Sequence, residues 1–191
     1  MFEVDVQIDD RDRIVVSHFL PFGRRLQRDN WRVRWHTAAA RDPQLLQVAA
    51  LVPDGCLVLL DMKENAADRR ARLRAAIAGS LADRARFRVC APRTEDLDEL
   101  REAGFRTWRT VGDRRELDSV LAEGALPDDA VTIRHSLLTR DLVLQLHARV
   151  PAVVAWTVND TGRARQLRDL GVDGVTTDRG AVLRRLAPSA H

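Results

Sequence analysis

Short apolar runs of four to six residues alternate along the chain with longer stretches in which apolar side chains recur at helical spacing. That alternation predicts repeated strand–helix units, a parallel sheet and an α/β fold. The predicted strands are Phe2–Gln7, Ile14–His18, Cys56–Met62, Phe87–Cys90, Phe105–Val111, Ala130–Arg134, Ala152–Val158 and Gly174–Thr177. The predicted helices are Pro43–Val52, Ala66–Ala85, Thr94–Ala103, Arg115–Ala122, Thr139–Arg149 and Thr161–Leu170, each with Leu, Val or Ala on one face and Arg, Asp or Glu on the other. Thr94 with Glu95 and Asp96 marks a helix start, and Gly104 and Gly171 mark helix ends. No low-complexity linker interrupts the pattern, and 191 residues at 45% apolar composition suit one core, so residues 1–191 are expected to form a single domain.

Periodicity alone does not separate an open doubly wound sheet from a closed barrel. The strand ends do. Glu3 and Asp5, His18, Asp61 and Lys63, Cys90, His135, and Trp156 with Asn159 fall at or just past the ends of different predicted strands. Polar residues contributed by many strands suit the working edge of a barrel, whereas an open sheet would present a Gly-rich loop at one crossover, and the chain contains no GxGxxG or GxxxxGK[ST]. The expected architecture is a TIM-type (β/α)8 barrel.

The net charge of +3 and the pI near 9.6 do not indicate a nucleic-acid partner, because 28 acidic residues are interspersed among 31 basic ones with no basic run interleaved with aromatics. No window holds the roughly twenty apolar residues of a membrane span, and carboxylates stand where an export signal would be basic, so a cytoplasmic location is expected. Cys56 and Cys90 lack metal-ligand spacing and are read as buried free thiols. One detail sharpens the charge count: Lys63 is the only lysine beside thirty arginines. A position that keeps lysine against that bias is one where a compact point charge serves better than a planar fork, or else an accident of composition.

Glu3 and Asp5 are two residues apart on a strand, so both carboxylates share a face while Val4 and Val6 face the other way. Ionised carboxylates held together repel unless a cation lies between them, and hard oxygens suit Ca2+ or Mg2+. Asp61 ends the apolar run Cys56–Asp61 and shares a face with Lys63. That spacing serves a metal ligand or a buried Asp61–Lys63 ion pair equally well. His18 ends the run Ile14–Ser17, where an imidazole could exchange a proton near neutral pH or serve only structure. His135 could contact substrate or cap a loop. His36, His147 and His191 lie in weaker contexts.

These residues carry a resemblance to a known family. Phe2-Glu3-Val4-Asp5-Val6 leading through Asp12 to Ile14-Val15-Val16-Ser17-His18 resembles the E-x-D-V strand, turn and V-V-x-H strand of the glycerophosphodiester phosphodiesterases. Leu60-Asp61-Met62-Lys63 resembles their E/D-x-K strand. Trp156-Thr157-Val158-Asn159 and Gly171-Val172-Asp173-Gly174-Val175-Thr176-Thr177-Asp178 resemble the closing W-T-V-N and G-V-D-G-[IV]-x-T-D motifs. The resemblance implies a metal-dependent barrel enzyme that hydrolyses a small-molecule glycerophosphodiester to an alcohol and glycerol 3-phosphate. It implies Glu3, Asp5 and Asp61 as ligands of Ca2+ or Mg2+, with Asp61 a methylene shorter than the more usual glutamate. His18 is implied as one of two histidines acting as general acid or base, Lys63 as the contact to a phosphate oxygen, Trp156 as an apolar wall, and His135 is kept as a candidate substrate contact.

The departures are equally specific. The family's opening strand ends in H-R-G and is followed by P-E-N-T, and neither motif occurs in the chain. The expected barrel is therefore incomplete at the N-terminus, with the first βα unit missing, as an internal start within a longer reading frame would produce; secretion then stays open. The stretch between His18 and Pro43, with Arg24, Arg25, Trp31 and Trp35, is unlike the family's loop and is a candidate for reshaping the pocket. The alternative function is a phosphate- or cation-binding barrel that has lost hydrolysis.

Overall fold

A computed structural model describes residues 1–18, 20–22, 26–29, 32–35 and 42–186, with the side chains of 20–35 left aside. Arg24, Arg25, Trp31, His36 and His191, and the side chain of Trp35, therefore lie outside the described residues. The chain divides into two compact units, Met1–Arg106 and Thr107–His191.

In the first unit, β1 (Phe2–Ile8) pairs in parallel with β6 (Val58–Met62), and β6 in parallel with β7 (Phe87–Ala91). Strand alternation sorts each side chain to one face. Val6, Ile8, Val58, Leu60, Met62, Phe87 and Val89 enter one apolar cluster with Leu73 and Ile77 of α2 (Ala67–Ser80) and Leu97 and Leu100 of α3 (Thr94–Glu102). The cluster confirms that Val4 and Val6 face the helices, leaving Glu3, Asp5 and Asp61 for the opposite face.

β2 (Ile14–Val16) is antiparallel to β1, with Val6 opposite Val16 and Ile8 opposite Ile14. Its run Ile14–His18 is therefore the returning arm of a hairpin and not a strand of the parallel series. The turn is held by Asp9, whose carboxylate accepts the N–H groups of Arg11 and Arg13 at 2.8 and 2.9 Å, while Asp12 adopts the left-handed conformation at φ 58°. Three strands absent from the sequence-based expectation, β3 (Leu20–Phe22), β4 (Leu26–Asp29) and β5 (Arg32–Trp35), form a small antiparallel sheet. α1 (Leu45–Ala49) follows and buries Leu45 and Ala49.

In the second unit, β8 (Arg106–Val111), β9 (Ala130–Arg134), β10 (Ala152–Trp156) and β11 (Gly174–Val175) pair successively in parallel. Helices α4 (Arg114–Ala122), α5 (Arg140–His147), α6 (Thr161–Asp169) and α7 (Gly180–Leu186) alternate with them. Val111, Val131, Ile133, Val153 and Ala155 pack with Leu117, Val143, Leu146 and Leu167 in a second apolar cluster. Counting β1, β6, β7 and β8–β11, the described residues hold seven strands of the parallel series, one fewer than a complete (β/α)8 barrel. The fold class is α/β, of TIM-barrel type and incomplete.

Several boundaries differ from expectation for local reasons. The helix expected over 66–85 ends at Ser80, because Gly79 and Ser80 weaken its last turn and the buried Leu81 is extended (ψ 96°). The start at Thr94 is one residue inside the cap, which is Arg93. Gly104 and Gly171 do close their helices, at φ +88° and +95°, conformations costly for a side chain-bearing residue. Cys90 is buried and Cys56 half-buried, both as free thiols. Among the described residues no helix is long and apolar enough to cross a membrane.

One buried charge is structural. Arg109 is 3% exposed on the helix-facing side of β8 and reaches Asp128 and Glu123, each at 3.2 Å, while Thr107 donates to Asp128 at 2.7 Å. Asp128→Ala would strand the guanidinium and is expected to cost about 3–5 kcal/mol by urea denaturation, more than replacing Arg109 and Asp128 together by leucines.

Candidate functional site

The pairing of β1 with β6 sets Asp5 directly against Asp61, with Glu3 two residues before Asp5 on the same face. Glu3, Asp5 and Asp61 each offer a carboxylate oxygen within 4.8 Å of the others. Lys63, two residues beyond Asp61, contributes its Nζ at 2.5 Å from Asp61 and 3.4 Å from Asp5. The two readings of Asp61, ion pair and ligand cluster, are thus present in one arrangement.

His18 joins the group because β2 runs back along β1. Ser17 donates its N–H to the Asp5 carbonyl at 2.9 Å, and the Nδ1 of His18 then bonds the Asp5 carboxylate. That contact engages Nδ1 and orients the ring beside the carboxylate cluster. On the far side of Asp61 the ladder places Cys90, whose thiol also hydrogen-bonds the Asp61 carboxylate.

Burial raises the pKa of Asp61 above the ordinary carboxylate value, with Lys63 opposing the rise and Asp5 adding to it. Burial acts on Lys63 toward a lower pKa, but the charges of Asp61 and Asp5 outweigh it, and the ammonium stays protonated. The cluster is therefore a crowded set of carboxylates with one fixed cation. Its oxygen donors fit a hard divalent cation, for which Glu3, Asp5 and Asp61 are the residues present.

Trp156 and His135 belong to the second unit. Trp156 ends β10 opposite Arg134 of β9, whose guanidinium lies 5.5 Å from the indole ring. His135 opens the short turn His135–Leu137, and its carbonyl accepts from Arg163 of α6. Its imidazole pKa is lowered by burial first, then by the charges of Arg163 and Arg134. The Asn159 carbonyl oxygen accepts from Thr177 Oγ1 and the Asp178 N–H, and its amide donates to the Asp178 carboxylate, all at 3.0 Å. Asn159 thus ties the end of W-T-V-N to the T-D turn, a pairing that the two motifs side by side foreshadow. The contributions of Cys90, Arg163 and Arg179 carry no motif signal.

Residues 93–182 match the sequence pattern of the Glycerophosphoryl diester phosphodiesterase family. No curated protein matches the chain. Among solved structures, the chain is similar to a putative glycerophosphoryl diester phosphodiesterase of Silicibacter pomeroyi, at 18% identity over 96% of this chain and 81% of that one, with a TM-score of 0.74. A glycerophosphodiester phosphodiesterase of Thermotoga maritima gives 20% identity over 97% and 84%, with a TM-score of 0.69. An Oleispira antarctica phosphodiesterase in complex with the product sn-glycerol-3-phosphate gives 15% over 92% and 80%, with a TM-score of 0.68.

Fold and sequence pattern are both similar to those of (β/α)-barrel phosphoric diester hydrolases. The similarity in sequence pattern covers residues 93–182, 90 of the 191 residues of the chain. The matched residues include Trp156 and His135, whereas Glu3, Asp5, His18, Asp61 and Lys63 precede them.

Lys63→Met would leave Asp61 buried beside Asp5 with its compensating charge removed. The expected loss is about 2–4 kcal/mol in urea denaturation, and Asp61→Asn added to Lys63→Met should recover much of it.

Proposed function

We propose that the chain hydrolyses glycerophosphodiesters, releasing an alcohol and glycerol 3-phosphate, and that residues 1–191 act as one barrel domain. The observation that carries this reading is the convergence of Glu3, Asp5, Asp61, Lys63 and His18 on one face of three adjacent strands. In it, Glu3, Asp5 and Asp61 hold Ca2+ or Mg2+, which supplies Lewis-acid stabilisation of the phosphoryl oxygens. Lys63 binds a phosphate oxygen and offsets charge that grows in the transition state. His18, oriented through Nδ1 by Asp5, passes a proton at Nε2 as general acid or base. Trp156 provides an apolar wall for the glycerol carbons, and His135 is the remaining substrate contact in the proposal.

A second reading is a barrel that binds phosphate or a cation without hydrolysis. The two readings part on turnover. With glycerophosphocholine and glycerophosphoethanolamine as substrates, the enzyme reading expects glycerol 3-phosphate release that chelator abolishes and that His18→Ala lowers by about 10²–10⁴-fold. Cation-dependent thermal stabilisation without release would favour the binding-only reading. Release unaffected by chelator or by His18→Ala would overturn the site assignment.

The cation assignment has its own measurement. Ca2+ or Mg2+ at about a hundred times its dissociation constant should stabilise the wild type by about 2.7 kcal/mol. Asp5→Asn should lose most of that gain, which differential scanning calorimetry across a cation titration reads directly.

A further inference from the structure

A cavity of about 390 Å³ opens in the second unit, and of the residues given a role in the reaction above only His135 lines it. Its wall includes Thr157 and Asn159 just past β10, Asp160 and Arg163 at the start of α6, Arg179 after β11, and His135 after β9. Two guanidinium groups and an imidazole therefore meet at one concave surface of a size that holds a small molecule.

The acidic side chains nearby are already engaged. The Asp160 carboxylate caps α6 by accepting the Arg163 N–H at 2.7 Å, and Asp178 accepts the Asn159 amide at 3.0 Å. Arg163 is held in place: it donates to the His135 carbonyl, from Nε to His135 Nδ1 at 3.4 Å, and to Gln166 at 2.6 Å. Because His135 Nδ1 accepts, its proton sits on Nε2, making the ring a further donor. Arg179 is exposed, and among the described residues no hydrogen bond or ion pair involves its side chain, although its backbone N–H is fixed on Thr177 Oγ1 at 3.1 Å. A planar fork of free donors on an anchored backbone, lining the same cavity as a second arginine held by its own contacts, suits an oxyanion.

We infer that this cavity binds a phosphate-type oxyanion, such as a phosphate monoester, with Arg179 as the principal contact and Arg163 as the fixed second charge. Binding at this site needs no divalent cation and no hydrolysis, and it shares only His135 with the residues of the proposed reaction.

Inorganic phosphate titrated calorimetrically into the full chain, in chelator and at low ionic strength, tests it. The expected result is saturable binding that Arg179→Gln weakens about tenfold or more and Arg179→Glu abolishes, while Arg179→Lys falls between them. Arg179 is exposed, so its variants should fold, as circular dichroism would check. Lys63→Gln should leave this binding within about twofold of wild type, since Lys63 is not among the residues lining the cavity. No saturable binding by the wild type, or equal binding by wild type and Arg179→Gln, overturns the inference. Loss in Lys63→Gln but not in Arg179→Gln would place phosphate at Lys63 and also overturn it, whatever the hydrolysis assay shows.

Discussion

The register of β1 against β6 is the constraint on which the candidate site depends. It sets Val4 against Leu60 and Asp5 against Asp61 in the same ladder. A slip of one residue would turn Val6 and Ile8 out of the apolar cluster and bring Asp5 and Gln7 in, so apolar burial enforces the register. The carboxylates are thereby held together by a force unrelated to their own charges. That is how a fold can maintain an arrangement whose local electrostatics oppose it.

The opposition is met locally, and incompletely. Asp61 lies between Asp5 on one neighbouring strand and Cys90 on the other, with the chain's one lysine, Lys63, supplying the ammonium. Its pKa still rises, because burial outweighs the nearby charge of Lys63. A carboxylate in that state gains more from an added cation than an exposed one would, since the cation replaces lost hydration. The hairpin contributes in a similar way: its turn is fixed far from the cluster by Asp9 and Asp12, yet it delivers His18 onto Asp5.

Much of this was legible in the sequence. The alternating run Phe2–Ile8, the mostly apolar run Val58–Met62 and helices with clear apolar faces fell within a few residues of expectation. The face shared by Glu3 and Asp5 followed from parity alone. The direction of Ile14–Val16 did not, because a three-residue run carries no sign of parallel or antiparallel pairing outside its turn. The sheet of β3, β4 and β5 was missed because β3 is a three-residue run containing proline and β4 and β5 are four-residue runs rich in arginine and polar residues, and α7 because seven residues offer too few turns for a periodic signal. The cavity around Arg179 was illegible for another reason: its residues come from three separate loops, and no short-range pattern joins them.

The lone lysine can be understood by comparing what the arginines do. Arg74 forks across Glu99 at 2.7 and 2.9 Å and also reaches Asp96; Arg69 forks across Glu64 at 2.9 Å twice; Arg149 reaches the carbonyls of Glu123, Gln145 and Leu121. Each of these sites offers several acceptors spread over a plane, which the guanidinium fork spans. Lys63 instead sits two residues from Asp61 on the same strand face, with Asp5 at the adjacent position. The acceptors there converge on a point. A compact ammonium can touch both carboxylates and still leave room for other oxygens, whereas a fork would spread its donors over the same small volume and displace the third carboxylate. The composition bias toward arginine thus stops where geometry calls for a point charge, and the same compactness suits that charge to a phosphate oxygen.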